Sequence, residues 1–117
     1  MPKKVKDSNR NERIAAKVQT IVAEILRERY ADDPVLAGVV LSGAAAHGGL
    51  QFVRLFFQCR LGDMDAVQRR LDIETRTIRF QMGQKLDQKY VPQIRFTYDD
   101  SLERAGRIED LLAQISG

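Results

Sequence analysis

Few side chains in these 117 residues could make or break a bond. His47 is the sole histidine and Cys59 the sole cysteine. His47 falls in the Gly/Ala-rich stretch 43–49, which reads as a flexible hairpin loop, so a solvated imidazole is expected there rather than a base or a ligand. Cys59 alternates with apolar residues on the expected core face of a strand and reads as inert packing; a lone cysteine also excludes an internal disulfide and a cysteine-based zinc site. Asp32-Asp33 before Pro34 and Asp99-Asp100 before a helix look like carboxylate pairs, but neighbours at element boundaries are turn and cap residues. The sequence holds no Gly-rich phosphate loop, no nucleophile with a base and no ligand cluster. No catalytic residue, metal or cofactor is expected.

The chemistry that remains is cationic. Residues 1–29 carry eight basic and four acidic side chains, net +4, whereas residues 99–117 carry two basic and five acidic ones, net −3. Such asymmetry steers one end of a molecule toward a polyanion, for which nucleic acid is the commonest cytoplasmic candidate; the plainer reading is a solvated basic tail.

The elements that must hold these cations follow from periodicity. Residues 1–8 read as a disordered basic lead-in and residues 9–117 as one domain, with Asn9 or Asn11 capping a first helix. Ile14, Val18, Ile21, Val22 and Ile25 form its apolar stripe, and Arg10, Arg13 and Lys17 share a flank. Asp32-Asp33-Pro34 stops it. A first strand is expected over 35–41, with Ala37, Val39 and Leu41 on one face, then the loop and a second strand over 51–60. Of its two faces, Val53, Leu55, Phe57 and Cys59 make the likelier core than Phe52, Arg54, Phe56 and Arg60.

Gly62-Asp63 ends that strand and caps a long helix over 64–89. Val67, Leu71, Thr75, Ile78, Met82 and Leu86 recur on its packing face. Opposite lie Arg69, Ile73, Arg76 and Phe80. Solvent alone does not call for Ile73 and Phe80 there, so either the helix bends near Thr75 and rotates its second half, or this surface meets a partner. Pro92 then forces extended chain, in which Ile94, Phe96 and Tyr98 alternate with polar residues as a third strand. Asp100 with Glu103, or Ser101 alone, supplies the cap of a last helix.

A single domain suits this length, and 44% hydrophobic with 30% charged residues is ordinary for a globular chain. No run approaches a membrane span and no secretory signal is evident, so a cytoplasmic protein is expected.

Tyr90-Val91-Pro92-Gln93-Ile94-Arg95-Phe96, followed by Asp99-Asp100-Ser101 and a short helix, resembles the C-terminal part of bacterial ribosome-binding factor A. The likeness continues in Arg13-Ile14-Ala15-Ala16-Lys17-Val18, in Asp33-Pro34-Val35-Leu36 and in Gly106-Arg107-Ile108-Glu109-Asp110-Leu111-Leu112, so that it covers roughly residues 9–113. It implies an α+β, type II K homology (KH) fold in α-β-β-α-β-α order, a mixed three-stranded sheet with helices packed on one face. KH domains grip single-stranded RNA with a Gly-x-x-Gly loop. The family replaces that loop with an Ala-x-Gly kink, whose position here falls on Glu74-Thr75-Arg76. Neither small residue is present. A Thr75 hydroxyl bonded to the preceding turn would keep a weaker bend, and Arg76 would substitute a side-chain phosphate contact for a backbone one; the bland reading is a solvated helix face.

The resemblance further implies a monomeric cytoplasmic factor that binds the free small ribosomal subunit and its precursor through rRNA and assists late maturation. Arg10, Arg13 and Lys17 on the first helix and Arg69, Arg70, Arg76 and Arg79 around the kink position are the expected RNA contacts, with Phe80 either stacking on a base or buried in the fold. The rival expectation is a dimerisation or protein-interaction domain built on Ile73, Phe80, Phe52 and Phe56.

Overall fold

The computed structural model describes the backbone of residues 2–60 and 63–116, with side chains for 9–60 and 63–115. Six elements follow in the order α1 (Pro2–Arg29), β1 (Val39–His47), β2 (Phe52–Cys59), α2 (Met64–Lys85), β3 (Gln93–Tyr98) and α3 (Ser101–Ser116). The sheet order is β1-β2-β3, with β1 antiparallel and β3 parallel to the central β2. This is the mixed three-stranded α+β arrangement that the sequence leads one to expect.

Helix α1 starts earlier than expected. Its backbone is helical from Pro2, so Asn9 and Asn11 lie inside it rather than at a cap, and residues 2–8 continue the helix where a disordered lead-in was expected. Pro2 fits a first turn, and no Gly or Pro interrupts the run from there to Arg29. Its apolar stripe, Ile14, Ala15, Val18, Val22, Ile25 and Leu26, is buried. The helix stops because Asp33 offers the backbone another partner: its Oδ1 accepts from the amides of Val35 at 2.8 Å and Leu36 at 3.0 Å. The same turn, closed by Ala37 N–H donating to the Asp33 carbonyl at 3.0 Å, keeps residues 35–38 out of the strand expected to begin there.

Strand β1 therefore runs over 39–47 and absorbs most of the expected loop. Ala44 and Ala46 pair with Leu55 and Val53 and pack against the core. Their small side chains let α1 lie close over the strand, with Asn11 and Glu12 beside Ala44–Ala46. A bulge at Ser42 breaks the register between Leu41↔Phe57 and Gly43↔Phe56. The true turn is residues 48–51, where Gly48 and Gly49 adopt φ of 56° and 69°, values that a Cβ makes costly. His47 accordingly closes β1 and is half-buried, not a loop residue.

Strand β2 buries Val53, Leu55 and Phe57 completely, and Cys59 at its end is half-buried against the same core. Asp63 caps α2, its Oδ1 accepting from the Asp65 amide at 2.9 Å; Gly62 lies outside the described residues. Val67, Leu71, Ile78, Met82 and Leu86 are buried as the periodicity requires, with Thr75 half-buried among them. The helix ends at Lys85, four residues sooner than expected, because Leu86 turns extended (φ −85°, ψ 117°) while its amide still donates to the Met82 carbonyl. The returning chain then passes over the last turn, where a Cβ on Gly83 would stand 3.3 Å from both Val91 methyls.

The α1 and α2 stripes cover one face of the sheet. Helix α3 is not part of this layer, and its apolar Leu102, Ile108, Leu111, Leu112 and Ile115 are all exposed. Asp99, one residue before the expected positions, caps it by accepting from the Ser101 amide at 3.0 Å. Among the described residues, no helix is long and apolar enough to cross a membrane.

Candidate nucleic-acid interface

The outer face of α2 is a single stripe. Arg69, Ile73, Arg76 and Phe80 stand three or four residues apart and are all exposed, Ile73 at 69% and Phe80 at 68%. Helical structure runs unbroken through Glu74-Thr75-Arg76, so no rotation of the second half buries the two apolar side chains. The Thr75 hydroxyl does bond back to the preceding turn, donating to the Leu71 carbonyl at 2.7 Å. Of the alternatives posed by the sequence, burial by rotation of the second half is ruled out, and the face stays open.

The kink position is clamped from within. Glu74 accepts a 2.7 Å hydrogen bond from the Tyr30 hydroxyl at the end of α1. Burial, then the hydrogen bond and charge of Glu74, push the Tyr30 phenol up to about 12. Arg76 has no partner among the described residues and is exposed.

The expected cations divide by what they touch. Arg70 pairs with Asp33 at 2.8 Å, both partly buried, and joins α2 to the turn after α1. Burial alone would raise the Asp33 carboxyl, but the Leu36 and Val35 amides and the Arg70 guanidinium outweigh it and hold the group below 3.8. Arg79 donates through Nε to the Pro92 carbonyl at 3.0 Å and through Nη2 to the Val91 carbonyl at 2.8 Å, tethering the chain that enters β3. These two guanidiniums are occupied inside the fold. Arg10, Arg13, Lys17, Arg69 and Arg76 are exposed.

The structure does not merge the two exposed clusters. Side-chain links between the helices come from the end of α1, where Glu28 meets Lys85 at 3.5 Å and Tyr30 meets Glu74. Lys17 stands about 17 Å of helix rise away from Glu28. Phe52 and Phe56 do not join the α2 stripe either; they are half-buried on the opposite side of the sheet. The ties made by Asp33 and Tyr30 escaped the sequence reading. An Asp directly before Pro at a helix end carries the signal of an Asx turn, whereas nothing in the sequence points Tyr30 at Glu74.

The arrangement is thus a small sheet backed by two helices, with an exposed stripe alternating guanidinium and apolar surface on α2 and a separate basic flank on α1. The sequence model described as ribosome-binding factor A matches residues 10–112. A ribosome-binding factor A from Trichlorobacter lovleyi is 33% identical over 109 residues, covering 91% of this chain and 87% of the relative, and one from Limosilactobacillus fermentum is 32% identical, covering 91% and 90%. Among solved structures, the crystal structure of ribosome-binding factor A from Thermus thermophilus superposes with a TM-score of 0.65 at 13% identity, covering 74% of this chain and 92% of that one. The solution structure of a Thermotoga maritima protein described as a possible member of the same group gives 0.60 at 18%, covering 74% and 84%. The fold is the KH-like one of these neighbours. With the family's sequence pattern running through both helices that carry the exposed cations and through the sheet beneath them, this chain belongs to the ribosome-binding factor A family.

Proposed function

We propose that the protein is a cytoplasmic assembly factor that binds the free small ribosomal subunit and its precursor through rRNA and assists late maturation of that RNA, without bond chemistry of its own. Family membership supports the class of activity. A homology model of the Thermus thermophilus factor, fitted into a cryo-EM map of a 30S complex with that factor, supports the partner; it superposes on this chain with a TM-score of 0.65 at 13% identity. The observation that carries the reading is the α2 stripe, in which Arg69 and Arg76 have no internal partner among the described residues and flank exposed Ile73 and Phe80. Guanidiniums contact phosphate, the Phe80 ring suits an unpaired base, and Ile73 adds apolar surface for the shallow face of an RNA helix. Arg10, Arg13 and Lys17 supply a second contact farther along α1.

The test is sucrose-gradient sedimentation of a cell lysate with detection of this protein. Co-migration with free small subunits but not with translating ribosomes, lost as salt rises and weakened by Arg13→Glu or Arg76→Glu, is the expected result. A salt-insensitive dimer broken by Phe80→Ser, with no subunit association in dilute buffer, would overturn it in favour of a protein-interaction domain.

A further inference from the structure

Among the described residues, no helix is laid across the other face of the sheet. Because β2 buries Val53, Leu55 and Phe57 under α1 and α2, the alternate residues Phe52, Arg54 and Phe56 turn to the opposite side, joined by Arg95 from β3 and His47 from β1. Helix α3 approaches only the Gln58 end, where Leu102 and Glu103 line a shallow cleft with Val40 and Gln58.

At the opposite end the side chains form a column. The His47 ring stacks on Phe52 with centroids 4.8 Å apart and planes at 11°. From the strand on the other side, the Arg95 guanidinium lies 4.1 Å from the same ring centroid, and that of Arg54 lies 5.9 Å from it. Arg54 and Arg95 are register partners on neighbouring strands. Neither has a carboxylate partner among the described residues, and Arg54 Nε and His47 Nε2 are shielded from solvent with no hydrogen-bond partner. Like charges set opposite each other destabilise a sheet, and unmet polar atoms add to that cost. Two carboxylates bordering the strands form no ion pair with either arginine. Asp99, at the far end of the strands, accepts from the Ser42 hydroxyl at 2.6 Å, and Asp72, which shares a cleft at the β3 edge with Arg54 and Arg95, accepts from Gln68 at 3.0 Å.

We propose that this open sheet face, centred on Phe52 with His47, Arg54, Phe56 and Arg95, is a second RNA site that takes unpaired, single-stranded bases. Aromatic rings and guanidinium planes spread over a sheet are what unpaired bases stack on; with Phe52 held between His47 and Arg95, a base would stack on the outer planes of that column or on Phe56, and a phosphate between Arg54 and Arg95 relieves their repulsion. An apolar protein surface fits poorly, since it would bury both guanidiniums unpaired. The proposal rests on the reading of the protein as an rRNA-binding factor and adds to it: α2 and this face lie on opposite sides of the sheet, so one molecule could hold structured RNA on one side and a single strand on the other.

The test titrates the full chain with decauridylate in about 50 mM salt, following backbone amide shifts by NMR and affinity by anisotropy of labelled RNA. Shifts should concentrate at His47, Phe52–Phe56 and Gln93–Thr97. The double variant Arg54→Gln/Arg95→Gln should bind roughly tenfold or more weakly with an unchanged or raised melting temperature, and Phe52→Leu should lose several-fold. The proposal fails if decauridylate does not bind, if shifts stay on α1 and α2, if the double variant binds as well as the parent, or if a glutamate decapeptide binds as tightly. Sedimentation separates the two readings: a parent protein that co-migrates with free small subunits yet ignores decauridylate sinks only the sheet site. One that binds decauridylate through this face but never joins subunits sinks only the ribosomal reading.

Discussion

The Asp33 carboxylate holds a turn with one oxygen and α2 with the other. Its depressed pKa has a direct consequence for stability: the contribution is complete above the ordinary value of 3.8 and is lost as pH falls through the lower folded value. Asp33→Asn keeps an acceptor for the turn but removes the charge that meets Arg70. It should cost about 1 kcal/mol at neutral pH, several degrees of melting temperature for a domain of this size, and the gap to the parent should close as pH falls below 3.8 and through the lower folded value when melting is followed by circular dichroism. Tyr30 works at the other end of the scale. Its phenol, raised to about 12, contributes stability that is present below the ordinary 10 and lost as pH climbs toward 12. Tyr30→Phe should cost about 1 kcal/mol at neutral pH and flatten the alkaline limb of the melting profile between those values. Both residues are placed by partners far away in sequence, Glu74 and Arg70, which is why periodicity could locate neither tie. The same holds for Arg70 and Arg79, whose charge was legible and whose carbonyl and carboxylate partners were not.

Elements were legible where the period of burial was strong. The α2 stripe from Val67 to Leu86 and the buried triplet of β2 could be read from spacing alone, because every third or fourth residue, or every second one, had to reach the core. Strand β1 was not, since Ser42-Gly43-Ala44-Ala45-Ala46 has no alternation to read and owes its extended form to pairing with β2 and to the proximity of α1. That places the strain of the hairpin at Gly48 and Gly49. Gly49→Ala has open space for its methyl but a φ of 69°, so it should lower stability by about 1–2 kcal/mol in a urea melt, with Gly49→Asn milder. On α2, the contrast between faces is sharper. Ile78→Ala empties a fully buried site and should cost about 2–5 kcal/mol, whereas Phe80→Ser, on the open side, should stay within about 0.5 kcal/mol. A large loss from Phe80→Ser would mean that the stripe serves the fold and not a partner.

At the scale of the whole molecule, the Cα extents of 56 × 46 × 18 Å describe a thin plate: one sheet, one layer of two helices, and α3 following from the end of β3. A plate has two usable sides, and here both carry guanidiniums with no carboxylate partner among the described residues, Arg69 and Arg76 on α2 and Arg54 and Arg95 on the open sheet. The net charge of +3 is too small to hold RNA by bulk attraction, so the proposed function requires local contacts such as these and the basic flank of α1. Counterion release makes their number measurable. When the logarithm of subunit affinity is plotted against that of salt concentration, each phosphate contact adds about 0.7–0.9 to the slope. Replacing Arg69 and Arg76 with glutamine should therefore reduce the slope by about 1.4–1.8, and Phe80→Ser should weaken binding while leaving the slope alone. An unchanged slope for the double arginine variant would mean that α2 touches no phosphate, and would move the exposed stripe from an RNA contact to a protein one.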